Sequence, residues 1–75
     1  MREIILNAAK QHAQAEIALH NVNIEIYLNN PAGIGEHSDI VESMQGELDK
    51  VAAAHDRLEM LEKYFSTWQK PKYSV

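Results

Sequence analysis

Apolar side chains recur at spacings of three and four residues in two stretches of the chain, a period typical of helices. Each stretch carries a stripe of apolar residues that is interrupted once by histidine. When the stripes are paired in opposite directions, the numbers of each facing pair add up to 66 or 67. This constancy predicts an antiparallel two-helix hairpin in coiled-coil register. The first stripe is Ile5, Ala8, His12, Ala15, Leu19, Val22 and Ile26, and it faces Leu61, Leu58, His55, Val51, Leu48, Met44 and Val41 of the second.

The predicted all-α domain spans residues 1–75, with one helix at about 3–28 and another at about 39–69. Residues 22–28 also alternate apolar and polar side chains as a strand does, but the chain offers that segment no pairing partner, so the helix is preferred. Pro31 and nearby glycines predict a loop at about 29–38. Ser38 or Asp39 is expected to cap the second helix, and residues 70–75 form a short tail.

The first helix has a second apolar face, nearly opposite to its stripe. Only three residues between Ile4 and Leu28 are charged, whereas eleven are charged between Glu36 and Lys63. Because one partner helix covers one face, the second face is expected to bind another molecule. The simplest solution is a homodimer in which two hairpins form a four-helix bundle, and a different protein is the alternative. The predicted assembly face consists of Leu6, Ala13, Ile17, Ile24 and Leu28.

The composition further narrows the range of possible functions and partners. The chain carries seven basic and eleven acidic residues and no cysteine, which excludes disulfides and thiol chemistry within it. The acidic balance disfavours nucleic acid as a partner. A nucleic-acid accessory role through the C-terminal tail is kept as a second alternative, because Lys63, Lys70 and Lys72 lie near Tyr64, Trp68 and Tyr73. The apolar run at residues 4–6 is too short for a signal peptide or a membrane span, so a cytoplasmic location without a membrane partner is expected.

His12 and His55 face each other in the predicted register, so two imidazoles would share one layer. The preferred interpretation is a polar layer that sets the register, as in other coiled coils. The alternative is a metal-binding bundle, since imidazole is a ligand for zinc, copper, iron and nickel. Glu16 and His20 follow His12 at intervals of four residues and extend the candidate set. Because the chain lacks the Glu-x-x-His motifs of di-iron bundles, no metal and no cofactor are predicted.

The loop carries the segment Gly33-Ile34-Gly35-Glu36-His37. Glycine-rich turns before helices bind phosphate in some proteins, but acidic residues follow here in place of the Walker lysine and serine, so an ordinary hairpin loop is preferred. Residues 29–40, and this segment above all, resemble small helical proteins of uncharacterised activity from marine cyanophages and related tailed phages. The resemblance implies a phage accessory protein in the host cytoplasm and adds no site residue.

The chain shows no convincing catalytic set. No serine is matched with a base and an orienting acid, so no catalytic residue and no small-molecule substrate are assigned, and an enzyme is not expected. The sequence therefore predicts a non-enzymatic helical module that works through protein–protein interaction or as a structural part, and that forms a homodimer.

Overall fold

The computed structural model describes residues 1–29 and 37–65, with residues 37 and 38 described by their backbone alone. Helix α1 spans Arg2–Asn29 and helix α2 spans His37–Tyr64, each of 28 residues. The helices pack against each other in antiparallel directions, and no strand occurs in these two ranges. The predicted all-α hairpin is therefore confirmed.

The helix boundaries lie close to the predicted ones. Helix α1 runs from one residue before its predicted start to one residue after its predicted end, and residues 22–28 are helical throughout. Helix α2 begins two residues before Asp39, which therefore lies in the first turn, where a carboxylate is favoured by the helix dipole. Phe65 already lies outside α2. The predicted extension to residue 69, the tail and the glycine segment at 33–35 lie outside the described residues.

Two alanines form the centre of the helix interface. Ala13 is 2% exposed and Ala54 is fully buried, and no other described residue is buried to that degree. His20 contacts Glu47 across the interface, and the numbers of this pair and of the alanine pair both add up to 67. The axial alignment of the two helices thus agrees with the predicted sums of 66 or 67, whereas the coiled-coil packing stays a prediction. The half-buried residues that continue the interface include Leu6, Ile17, Ile24 and Tyr27 of α1 and Ile40, Met44, Val51, Leu58 and Leu61 of α2.

The rotation of α1 about its own axis differs from the prediction. The α1 residues predicted to form the hairpin core are exposed, with Ile5 at 58% and Leu19 at 57%. The residues predicted to form the assembly face instead lie toward α2, with the exception of Leu28, which is exposed. Because successive residues are about 100° apart around a helix, the predicted and the observed orientations of α1 about its own axis differ by roughly 120°. The assignment of the two α1 faces is therefore wrong. The residues of the predicted assembly face that lie toward α2 are Leu6, Ala13, Ile17 and Ile24.

The rotation of α2 is closer to the prediction. Met44, Val51, Leu58 and Leu61 lie in the interface as expected, whereas Val41, Leu48 and His55 are exposed. The small side chains at the centre are compatible with both rotations. Ala13 and Ala54 are the described residues that are fully enclosed between the helices, and bulky aliphatic residues fill the interface on either side.

Candidate assembly face and the contacts that position it

The most prominent surface of the hairpin is the exposed row of apolar residues on α1, which we call the α1 stripe. It extends for about 32 Å along the helix at about 1.5 Å per residue, and it contains no Asp, Glu, Lys or Arg. Leu19, Val22 and Ile26 are each more than half exposed and make up its C-terminal half. The α1 stripe consists of Ile5, Ala8, His12, Ala15, Leu19, Val22 and Ile26.

An open groove of about 540 Å³ adjoins the N-terminal half of the α1 stripe. It runs between α1 and the C-terminal part of α2, and its walls are mostly apolar. His12 belongs to both features, so the groove and the stripe form one continuous surface. Ala9 adds little bulk to the floor, which leaves space between the helices. The groove is lined by Ala9, His12, Arg57, Met60, Leu61 and Phe65.

An ion pair between Glu16 and Arg57 joins the helices beside this surface. The Arg57 Nη2 group donates to Glu16 Oε1, and His12 Nδ1 lies 3.3 Å from the same oxygen. Arg57 is about half exposed, so the pair contributes little to stability on its own. The ion pair does hold His12 and Arg57 on the same side of the hairpin. Because His12 belongs to the α1 stripe, the pair thereby fixes the side on which the stripe lies.

A second polar cluster lies within the interface and holds the register. His20 Nδ1 lies 2.7 Å from Glu47 Oε1, and Asn23 Nδ2 donates to the same oxygen at 3.0 Å. The side chains of His20 and Glu47 are only 13% and 16% exposed. The hydrogen bond from Asn23 and then that from His20 hold the pKa of Glu47 below its ordinary value, because both stabilise the carboxylate.

The structure separates the two histidines that the sequence placed in one layer. His12 has a side chain that is 75% exposed and lines the groove on the Arg57 side. His55 is exposed as well, and it lies about 200° around α2 from Arg57, at about 100° per residue, on the other side of the hairpin. The two imidazoles therefore share a level along the hairpin but form neither a buried layer nor a common site.

The remaining metal candidates are occupied by other contacts. Glu16 pairs with Arg57, and His20 pairs with Glu47 on a different part of the interface. Within residues 1–29 and 37–65, no group of three or more His, Cys, Asp or Glu side chains is arranged to hold a metal ion. Of the set of His12, His55, Glu16 and His20, the structure brings only His12 and Glu16 into contact with each other.

Sequence reasoning missed several residues of this surface. Arg57, Met60 and Phe65 line the groove, and Asn23 and Glu47 hold the register. A signal was present, because His20 and Glu47 are complementary groups whose numbers add up to 67. A prediction that relied more on such polar pairs, and less on the size of the apolar side chains, would have matched the observed orientation of α1.

The geometry of this face is suited to binding an apolar surface. The polar groups of the interface are engaged with one another, while aliphatic side chains and an apolar groove face outward. Neither described helix combines the length and hydropathy that are needed to cross a bilayer. Comparison with protein-family models, with curated proteins and with solved structures gave no match, so the surface is interpreted from its own geometry.

Proposed function

We propose that this protein is a non-enzymatic helical assembly module that forms a homodimer through the α1 stripe. One observation carries the proposal, namely that four large aliphatic side chains, Ile5 among them, stand 55–58% exposed along one face of a helix. Exposed apolar surfaces of this kind mark interaction sites in proteins. Following the resemblance of residues 29–40 to proteins of tailed phages, we further propose that it acts in the cytoplasm of an infected host.

The small core supports the proposal. Two alanines supply the only side chains that are buried within the described hairpin. Chains shorter than about 80 residues gain only about 3–5 kcal/mol from a single core and are commonly completed by oligomerisation. Without a cysteine, disulfides cannot supply the missing stability. A second copy would bury the α1 stripe and convert one layer of helices into two.

The area of the face is sufficient for a dimer. The hairpin measures 24 Å by 14 Å across its long axis, which is two helices wide and one helix thick. Each helix is about 42 Å long at about 1.5 Å per residue. A face of two such helices therefore presents an area on the order of 800 Å², which is about the contribution of each partner to a stable interface, provided that the second copy covers the adjoining part of α2 as well as the α1 stripe.

Light scattering coupled to size-exclusion chromatography tests the proposal. We expect a dimer at micromolar concentration and a shift toward monomer on dilution. Leu19→Asp should weaken the dimer at least 100-fold, because it would bury an unpaired carboxylate in the interface. A monomeric wild-type protein at every concentration, with full helicity by circular dichroism, would contradict the proposal.

Leu48→Asp provides the matched control. Leu48 is also a partly exposed leucine in the middle of a helix, at 43%. It lies seven residues before His55 and so on the side of the hairpin away from the α1 stripe. We expect this variant to remain dimeric. If both variants dissociate equally, the dimer is not formed through the stripe.

A further inference from the structure

The open groove beside the α1 stripe lies where the chain leaves α2. Phe65 is the first residue after the helix, and its side chain lines the groove together with Met60. The Phe65 N–H donates to the Leu61 carbonyl at 3.0 Å, so the backbone still follows the helix at this residue, and the chain bends there. Residues 66–75, which lie outside the described ranges, therefore begin at one end of the groove.

We propose that the segment after α2 returns along the groove and that the side chain of Trp68 occupies it. The inference goes beyond the proposed function, because it concerns a contact within one chain and not the contact between two copies. Trp68 is the first large apolar residue after Phe65 and the only tryptophan of the chain. The bend at Phe65 provides the change of direction that such a return needs.

The distances suit this occupant. Three residues of extended chain span at most about 11 Å, so Trp68 can reach points within that distance of Phe65. The groove follows α2 from Phe65 back to Arg57, which is about 12 Å at about 1.5 Å per residue, with Met60 and Ala9 between its ends. If α2 instead continued straight, facing numbers that add up to 67 would place Trp68 beyond the first residue of α1, with no helix beside it.

The groove has room for an indole ring. Its volume of about 540 Å³ lies within the range of about 300–1,000 Å³ that is typical of ligand pockets. The small side chain of Ala9 leaves its floor open. Met60 and Phe65 are 39% and 49% exposed, so an apolar side chain laid in the groove would remove their surfaces from water.

The side chains around the groove are of kinds that contact an indole favourably. The thioether of Met60 can pack against an aromatic ring, and a guanidinium such as that of Arg57 stacks on aromatic faces, tryptophan above all. The ion pair of Arg57 with Glu16 engages Nη2 and leaves the flat face of the guanidinium for the ring. The groove therefore fits an aromatic side chain better than the aliphatic side chains of a second copy, which favours Trp68 as its occupant.

The fluorescence of the single tryptophan tests the proposal. In the folded wild type, Trp68 should emit at a shorter wavelength, and acrylamide should quench it several-fold less, than in the protein unfolded by urea. Ala9→Gln should move both values toward those of the unfolded protein, because a longer polar side chain takes up the floor of the groove. Ala18→Gln is the matched control at an exposed alanine nine residues further along, half a turn around α1, and it should leave both values unchanged. Circular dichroism verifies that both variants are helical.

Leu19→Asp separates this proposal from the dimer. In this variant, which should be monomeric by light scattering, Trp68 should stay shielded, because the groove belongs to the same chain. Shielding that disappears with the dimer means that a second copy covers Trp68, and it overturns the proposal. An indole as accessible in the folded wild type as in urea, or a shielded indole on which Ala9→Gln has no effect, overturns it as well and leaves the dimer standing. A monomeric wild type with a shielded Trp68 would remove the dimer and retain the docked segment.

Discussion

At the scale of single residues, Glu47 contacts two polar side chains of α1. One of its oxygens accepts a hydrogen bond from Asn23 and contacts the His20 ring, and the side chain is largely shielded from solvent. Groups in such positions fix one relative placement of two helices, because a shift along or around either axis would leave them without partners. Glu47 therefore ties the register of the hairpin to the rotation of α1.

The lowered pKa of Glu47 predicts how stability depends on pH. Because the pKa in the folded state lies below the ordinary value of 4.5, the carboxylate contributes stability in full above that pH. The contribution is lost as the pH falls through the lowered, folded-state pKa. Urea unfolding followed by circular dichroism at several values between pH 7 and pH 3 should show this loss. Glu47→Gln should be less stable than the wild type at pH 7 and should converge toward it in acid.

Glu59→Gln is the control for this experiment. Glu59 is exposed on the same helix and lies outside the interface with α1. We expect its replacement to leave the difference between neutral and acidic stability unchanged. If Glu47→Gln loses as much stability in acid as the wild type does, other carboxylates are responsible for that loss, and the contacts of Glu47 with His20 and Asn23 do not cause it.

At the scale of helices, the elements and their register were predictable, whereas the rotation of α1 was not. The register follows from the antiparallel order of two helices and a short loop, which leaves few alignments. The rotation depends on a choice between two apolar faces of α1 that are similar in hydrophobicity. The larger side chains, such as Ile5 and Leu19, favoured the wrong face. The observed face buries the small side chain of Ala13 and gives His20 its polar partner, which periodicity alone does not weigh.

The buried alanines predict a clear sensitivity to added volume. Ala54→Leu should destabilise the hairpin by about 1–3 kcal/mol, because Ala54 is fully buried and the extra carbons would have to displace its neighbours. Urea unfolding at neutral pH measures this loss. Ala52→Leu, on an exposed part of the same turn, should change the free energy of unfolding by less than about 0.5 kcal/mol. Equal effects would mean that the neighbours of Ala54 do not restrict its size.

The candidate surface was foreseen in part. The two apolar faces and few charges of α1 predict a partner beyond α2, and this partner stays a prediction. The identity of the free face was wrong for the reason just given. The groove was not foreseen, because it depends on Met60, Phe65 and Arg57 being brought beside Ala9, and these residues become neighbours only once α1 is rotated as observed. The shape of a groove between two helices depends on their mutual orientation, so it cannot be predicted from the sequence of either helix alone.

At the scale of the whole molecule, the hairpin is extended and thin. Its radius of gyration is 17.3 Å, against about 11 Å for a compact chain of this length. Compact domains consist of at least two packed layers around a shared core. The hairpin supplies one layer, and in the proposed homodimer the second copy would supply the other. The free energy of folding and the free energy of association should accordingly be coupled.

This coupling predicts a melting temperature that rises with protein concentration. If the folded form is a dimer and the unfolded form is a monomer, each tenfold increase in concentration stabilises the dimer by about 1.4 kcal/mol. Thermal unfolding by circular dichroism at about 1, 10 and 100 μM, with reversibility verified by a second scan, should show a shift of several degrees per step for the wild type. Leu19→Asp should melt at a lower temperature that does not vary with concentration. A wild-type melting temperature that is the same at all three concentrations would mean that the two helices fold without the second copy, and that the α1 stripe adds nothing to their stability.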